Sequence, residues 1–589
     1  MLSNNLPQAA SLYLQQHSLQ PVYWQEWGEE ALALAAHHQK PILLSSGYSA
    51  CHWCHVMAHE SFEDPKIAAL INQHFIPVKL DREERPDVDA IYQAALIMMG
   101  QQGGWPLTMF LTPDGVPFWG GTYFPPAALQ GYPGFPDVLQ RMAQAWKDDQ
   151  EKIQAQKPVI IGALQQWATT SKSEEPLTED TVSRAAARLV RDIDPFHGGL
   201  GEAPKFPQLP SLGFLWQNWQ KTGLQPYHDA VVNSVHHMCA GGIYDHLAGG
   251  FFRYTVDDSW KVPHFEKMLY DNALFIDLLS EVWVEGRQPI LAERVSATIG
   301  WMLRDMSLAQ GGLAAALDAD SDGEEGRFYV WKASEIEEIL GAQHTEFNDY
   351  YGVTAAGNWR KAYNIFHHSP QNTPEDKFQA SRQLLLAKRE QRNKPTRDEK
   401  MLASWNGLAI YALIKAGKIF ANNQWVSQAQ QLFDGVVAIL YHETEGLFHM
   451  GVNGKPTQVK AFLDDYAALA RAALALYRVN GQAAYLEWAQ KLTREAIIIF
   501  EDAAEGGFFT ASKADLTLLV RHKNFHDLPS PSGNALMLDV LAGLSELTPD
   551  QLWKTQLQSL LTIMAGAAEV QSASMTGCFQ FMQQQKLIY

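Results

Sequence analysis

The first 165 residues alternate between two hydrophobic rhythms. In WQEWGEEALALAAHHQ (24–39), Trp24, Trp27, Ala31 and Leu34/Ala35 recur at helical spacing, and Pro41 ends the run. PILLSSGYS (41–49) reads as a short buried strand, and HWCHVMAHESF (52–62) as the start of a helix. DPKIAALINQHF (64–75) sets Ile67, Leu70, Ile71 and Phe75 on one helical face. FIPVKLD (75–81) predicts a strand and VDAIYQAALIMMG (88–100) a helix. PLTMFLTPDGVPFWGGTYF (106–124) predicts two strands around an Asp-Gly turn. A cysteine pair, Cys51 and Cys54, falls where a strand hands over to a helix.

The polar stretch TTSKSEEPLTED (169–180) reads as a linker, and beyond it the rhythm changes to long helical segments. Two short signals recur there. One is a glycine turn before an apolar residue: Gly198-Gly199-Leu200, Gly249-Gly250-Phe251, Gly311-Gly312-Leu313, Glu445-Gly446-Leu447, Gly506-Gly507-Phe508 and Thr576-Gly577-Cys578-Phe579. Its steps are 51, 62, 135, 60 and 71 residues, the long one about twice the others. The second opens apolar helices: Tyr270-Asp271-Asn272-Ala273, Ser404-Trp405-Asn406-Gly407, Asp464-Asp465-Tyr466-Ala467 and Ser532-Gly533-Asn534-Ala535. Both share a period of about 65 residues holding two helices, repeated about six times. Such a unit closes as a toroid more readily than as an open solenoid, whose ends need caps. The expected organisation is a first domain at 1–168, a linker at 169–180 and a second domain at 181–589.

Composition changes the picture only at the margins. The chain has 589 residues, 46% of them hydrophobic, which is ample for two large cores. A net charge of −19 argues against a nucleic-acid binder. No apolar run approaches a membrane span, and no basic segment followed by an apolar core opens the chain, so the expectation is a cytoplasmic protein with no membrane partner. Four cysteines, two of them isolated (Cys239 and Cys578), make no disulfide framework.

Candidate chemistry centres on Cys51-His52-Trp53-Cys54-His55. The letters fit a redox dithiol, a haem attachment site or a zinc site. Haem attachment belongs with an export signal, and none is read here. Zinc would gather Cys51, Cys54, His55 and His59 from a helix and a loop. A dithiol at a helix N-terminus is the reading its position favours, because unpaired N–H groups there stabilise a thiolate.

Residues 1–165 resemble the thioredoxin fold. Gly104-Trp105-Pro106-Leu107-Thr108 matches that family's cis-proline segment, and Thr112-Pro113-Asp114-Gly115 its following hairpin turn. The resemblance implies that Pro106 is cis and faces the dithiol. One position departs: the buried aspartate of thioredoxins, six residues before the first cysteine, is Ser45 here. Proton transfer must then run elsewhere, with His52, His55 and Glu60 as candidates. Residues 180–589 resemble the six-hairpin (α/α)6 barrel shared by many glycosidases and N-acylglucosamine 2-epimerase. Together with GEAPKFPQ (201–208), GGIYDHLAGGFFRYTVDDSW (241–260), PHFEKMLYDNA (263–273), ALDADS (316–321) and SWNGLA (404–409), the chain resembles the thioredoxin-domain family of spermatogenesis-associated protein homologues. The implied fold is multidomain: an α/β thioredoxin-like N-terminal domain plus an all-α (α/α)6 toroid.

In such a barrel the ends of the inner helices line a cavity. The candidates there are Asp245, His246, Arg253, His264, Glu266, Asp271, Asp318, Asp320, Asp322, Trp405, Asp464, Asp465 and Tyr466. Glycoside hydrolysis would need two carboxylates, Asp464 or Asp465 with Glu266 or Asp318. Epimerisation would need two bases, with His246 and His264 as one pair. Asp and Asn at helix starts are commonly caps, and Asp318-x-Asp320-x-Asp322-Gly323 lacks a calcium-loop glutamate at its twelfth position, which is Tyr329.

The expected function is therefore thiol–disulfide exchange. Cys51 attacks, Cys54 resolves, His52 and His55 tune the thiolate and Pro106 positions the partner. The barrel binds or processes a carbohydrate-like ligand. The alternatives are a hydrolase or epimerase in the barrel with a non-catalytic thioredoxin-like domain, and a non-catalytic interaction protein. The expected partners are a protein thiol or disulfide, or a small carbohydrate-like molecule. No cofactor and no metal is expected.

Overall fold

The computed structural model describes residues 2–588 except 130, 132, 174, 371–374 and 528. The chain divides into two compact units, residues 1–170 with 509–523, and 171–508 with 524–589.

In the first unit, five strands run in the order β1 (Gln25–Glu26), β3 (Ile76–Asp81), β2 (Ile42–Gly47), β4 (Leu107–Leu111) and β5 (Pro117–Gly121). The first three are parallel, and β4 and β5 are antiparallel additions. Around the sheet lie α1 (Leu12–Gln16), α2 (Glu29–His38), α3 (His52–Met57), α4 (Pro65–His74), α5 (Pro86–Met98), α6 (Phe135–Asp148) and α7 (Gln150–Ala168). Both faces of β2 and β3 are buried, as expected of central parallel strands. Residues 24–39 do not form one helix. Gln25 and Glu26 pair with Val78 and Lys79 as an edge strand, Gly28 is fully extended, and the helix begins only at Glu29.

Residues 509–523 were expected in the second domain and belong to this unit instead. Val520 joins the apolar core formed by Leu44, Val78, Ile91 and Leu164, with Leu518 and Leu519 packed against it. Asp515 pairs with Arg85 at 2.6 Å, and Thr517 accepts a hydrogen bond from Trp27 Nε1. The dispersed sequence signal explains the miss: three apolar residues remote in the chain have no periodicity to announce them.

Among the described residues the second unit is built on twelve helices: α8 (Glu179–Leu189), α9 (Leu209–Thr222), α10 (Gln225–Ala240), α11 (Leu269–Gly286), α12 (Pro289–Asp305), and, after an insertion containing α13 (Ala333–Leu340), α14 (His344–Tyr350) and α15 (Gln379–Arg389), α16 (Ala403–Ile419), α17 (Asn423–Leu440), α18 (Leu463–Asn480), α19 (Ala483–Phe500), α20 (Gly533–Leu547), α21 (Gln551–Gln571) and α22 (Thr576–Gln584). Six of them close a ring: α9 packs on α11, α11 on α16, α16 on α18, α18 on α20, α20 on α22, and α22 back on α9. Helices α10, α12, α17, α19 and α21 pack outside α9, α11, α16, α18 and α20, and α8 completes the outer layer against α9. This is an (α/α)6 toroid. The inner helices are apolar almost all round, which is why α11 and α16 are buried along most of their length.

Among the described residues, the doubled step between Leu313 and Leu447 holds no extra hairpin of the ring. It holds the insertion, whose own core is Trp331, Ile336, Phe347, Tyr351, Phe366 and Leu385. Arg389 of α15 anchors it, donating twice to Asp245 at 2.8 and 2.9 Å, while Lys267 Nζ reaches the same carboxylate at 2.8 Å.

The two recurring signals prove to be one device. After an outer helix the chain turns on glycines with positive φ, such as Gly249 and Gly250 at 84° and 85°, where other residues are strained. The next residue then lies against the start of an inner helix and is held at both backbone groups by one asparagine. Phe251 N–H donates to Asn272 Oδ1 at 2.7 Å, and Asn272 Nδ2 donates back to its carbonyl at 3.0 Å. Leu313 with Asn406, and Phe508 with Asn534, repeat the pair. At the fourth repeat the Tyr466 hydroxyl takes the N–H of Leu447 at 3.2 Å. The sixth glycine signal differs: Gly577 lies inside α22, its N–H donated to Asp527.

Candidate functional site

Cys51 and Cys54 form a disulfide. Strand β2 delivers the chain to Cys51, the N-cap of α3, whose Sγ accepts the backbone N–H of Cys54 at 3.2 Å. The sulfur thus takes the place a serine oxygen fills in an ordinary cap. Both cysteines are buried, 3% and 2% exposed, so the expected greater exposure of Cys51 is marginal. Trp53 between them is 48% exposed and lies 5.3 Å, ring to ring, from Tyr123. His55 Nε2 binds the Ser49 carbonyl at 2.8 Å, while His52 stacks edge-on to Trp53. Glu60 accepts from the Tyr123 hydroxyl at 2.5 Å.

The Trp105–Pro106 peptide is cis. It precedes Leu107, which pairs with Ser46 of β2, so the proline lies at the end of the sheet from which the cysteines emerge. Helix α5 fixes this loop through two side chains. Gln93 binds both N–H and carbonyl of Gly104, at 3.1 and 3.0 Å, and Asp89 accepts from Trp105 Nε1 at 3.1 Å and from Ser46 Oγ at 2.6 Å. Arg82 covers the Trp105 ring at 4.0 Å. Neither Asp89 nor Gln93 stands out in the sequence, where both sit on an amphipathic helix.

In the barrel, the candidates fall into separate groups near the starts of the inner helices. His264 lies between two carboxylates, Glu266 at 2.9 Å and Glu325 at 2.7 Å, and Glu266 also binds Arg253 at 3.1 Å. Burial works against the charged ring, but Glu266 and Glu325 outweigh it and lift the His264 pKa to about 9. His264 is thus a cation at neutral pH, not the free base an epimerase pair needs. His246 stands in different surroundings, bound to the Gly241 carbonyl at 2.9 Å beside Arg294 and His368. Asp318 accepts the N–H of Asp320 at 3.1 Å, and Asp320 opens a two-residue hairpin turning on Asp322 and Gly323 with φ of 54° and 72°. Asp465 is a structural knot: it accepts from Ser404 N–H, Phe462 N–H and His449 Nδ1 at 2.9, 2.8 and 2.7 Å. Asp464 beside it is half-buried, and burial, then the charge of Asp465, lift its pKa to about 6. Half-buried Trp405 packs edge-on against Tyr270 at 4.7 Å, and Asp271 is buried in the first turn of α11.

Residues 3–165 match the family model Thioredox_DsbH, described as "Protein of unknown function, DUF255". Spermatogenesis-associated protein 20 of Homo sapiens is 32% identical over 622 residues, covering 95% of this chain and 78% of that protein. The chain belongs to the spermatogenesis-associated protein 20 family. The Rattus norvegicus member is 33% identical over 615 residues, with the same coverage of 95% and 78%. Among solved structures, a D-mannose isomerase is 12% identical, covers 66% of this chain and 86% of its own, and superposes with a TM-score of 0.44. No described helix is long and apolar enough to cross a membrane.

Three residues behind the disulfide escaped the sequence reading. Lys79 of β3 is buried, its Nζ 3.1 Å from Ser45 Oγ and over the Phe62 ring at 4.5 Å. Burial holds its pKa well below the ordinary lysine value. Tyr13, under the same Lys79 ammonium at 5.1 Å, packs against His17 with rings 4.9 Å apart. A lysine alternating with Val78 and Leu80 in a strand between apolar neighbours was the one available signal.

Proposed function

We propose that this family member is a thiol–disulfide oxidoreductase that uses Cys51 and Cys54, and that its barrel binds or processes a carbohydrate-like ligand. The observation that carries the first half is the disulfide itself, capped at the start of α3 beside the cis-proline loop. Cys51 receives the partner sulfur and Cys54 closes the disulfide that releases it. The Cys54 N–H stabilises charge on Cys51, and Pro106, held by Gln93 and Asp89 through its neighbours, offers backbone to a protein partner. The test is a glutathione trap. Cys54→Ser should accumulate a mixed disulfide at Cys51, and Cys51→Ser should not. Equal labelling of both variants, or of neither, contradicts the reading.

A second reading places hydrolysis of a carbohydrate-like ligand in the barrel. It is favoured by Asp464, a carboxyl that changes protonation near neutral pH and so suits a general acid. Its helix is tied through Asp465 to the start of α16, which carries Trp405. Glycosidase assays of Asp464→Asn against the unmutated chain test it. Loss of turnover supports it, and unchanged turnover or no turnover in either chain removes it.

A further inference from the structure

Tyr13 is 1% exposed, and its hydroxyl has no hydrogen-bond partner among the described residues. A buried unpaired hydroxyl costs about 1–3 kcal/mol, so the disulfide form gains nothing from it. A Cβ built on Gly47 would stand 2.3 Å from the Tyr13 oxygen and 2.7 Å from Cys54 Sγ. The two atoms therefore lie within 5.0 Å of each other across Gly47, where any larger residue would collide with both. A disulfide sulfur is a weak acceptor, whereas a thiolate is a strong one.

We propose that Tyr13 is a catalytic partner of Cys54, its hydroxyl donating a hydrogen bond to the Cys54 sulfur once the disulfide opens. This deepens the thiol–disulfide reading and rests on it. In the reductive direction a substrate thiolate attacks Cys51 Sγ. The Cys51–Cys54 bond breaks, and its electron pair stays on Cys54 Sγ, which becomes a thiolate and takes the Tyr13 hydrogen bond. A second substrate thiolate attacks the substrate sulfur of the mixed disulfide. One substrate disulfide forms and Cys51 leaves as a thiolate. Two substrate thiolates are oxidised, one protein disulfide is reduced, and protons reach the protein sulfurs afterwards from water. In the reverse direction the same hydrogen bond favours the deprotonated Cys54 that must attack.

The surroundings suit a donor. Burial, then the charges of Asp81 and Asp89, hold the Tyr13 pKa well above the ordinary tyrosine value, so the hydroxyl keeps its proton. From β3, Lys79 Nζ lies 5.1 Å from the Tyr13 ring centroid, and from the end of α1, His17 packs edge-on to it. A neutral donor stabilises a thiolate that a carboxylate at position 45 would repel.

The test titrates Cys54 alone. In the full chain carrying Cys51→Ala, the thiolate ultraviolet absorbance gives the Cys54 pKa, with and without Tyr13→Phe. The expected result is a rise of about one unit or more on removing the hydroxyl, the worth of one charge-assisted hydrogen bond. With both cysteines present, the same substitution should move the glutathione equilibrium about tenfold towards the protein disulfide at alkaline pH, where both sulfurs are thiolates. An unchanged Cys54 pKa overturns the proposal. Should Tyr13→Phe unfold the chain, the reduced-minus-oxidised infrared spectrum of the unmutated protein decides: a shifted tyrosine C–O band supports the hydrogen bond, and its absence overturns it. The Cys54 titration needs no turnover, so it reads Tyr13 even if the pair fails to exchange with glutathione, which would instead sink the oxidoreductase reading.

Discussion

Asn406 in the barrel and Tyr13 in the first unit are both buried polar side chains, and their bonding differs completely. Asn406 is saturated, binding both backbone groups of Leu313 and the Leu402 carbonyl. Tyr13 presents an unpaired hydroxyl beside a disulfide. Asn406 has counterparts in Asn272 and Asn534 doing the same work, and Tyr13 has none among the described residues. Residues that recur with the repeat hold the repeat together. The groups poised for chemistry occur once. The barrel candidates found through periodicity lean to the first kind, with Asp465 the plainest case and Asp464 the exception.

The contrast can be broken at several points. The largest effect belongs to the site. Cys51→Ser should abolish exchange with glutathione, read by mass after alkylation, while leaving the thermal unfolding of the barrel within about 1 kcal/mol. Next in size is the anchor of the insertion. Asp245→Ala leaves Arg389 and Lys267 buried without their shared carboxylate and should cost about 3–5 kcal/mol in denaturant melts, with exchange at Cys51 retained. Asn406→Ala orphans both backbone groups of Leu313 and should cost about 3 kcal/mol. If it costs under about 0.5 kcal/mol, the clamp is not structural.

The pH dependence sharpens the same point. The folded His264 pKa of about 9 stands above its ordinary value of 6.5, so its contribution is present in full below pH 6.5 and is lost as pH rises through about 9. Barrel stability should fall by up to about 3 kcal/mol across that window, and His264→Gln should flatten the fall. A flat profile in the unmutated chain would show that the histidine is not held charged. The smallest effect is expected for Asp464→Asn, within about 1 kcal/mol of the parent stability and silent in the redox assay.

Much of the first unit was legible because its strands and helices carry clean local periods: β2, β3, α4, α5 and the β4–β5 hairpin fall where the pattern puts them. The edge strand at Gln25–Glu26 was not, since two residues have no period. Residues 509–523 join a core they are remote from in sequence, and no local pattern could say so. In the second unit the toroid was legible through its glycine turns and helix openings, but their pairing was not, because a hydrogen bond between Phe251 and Asn272 or between Leu313 and Asn406 leaves no spacing rule. The cysteine pair was plain from its letters. Tyr13 was invisible, since a tyrosine becomes a functional group here only through the missing side chain of Gly47.

The decisive experiment is the redox equilibrium of the unmutated chain with glutathione. A Cys51–Cys54 pair that opens and closes reversibly is expected, with an alkylation pKa for Cys51 well below the ~8.5 of a free thiol. A pair that stays closed across the glutathione range, or that opens to a Cys51 of ordinary pKa, would contradict the thiol–disulfide reading.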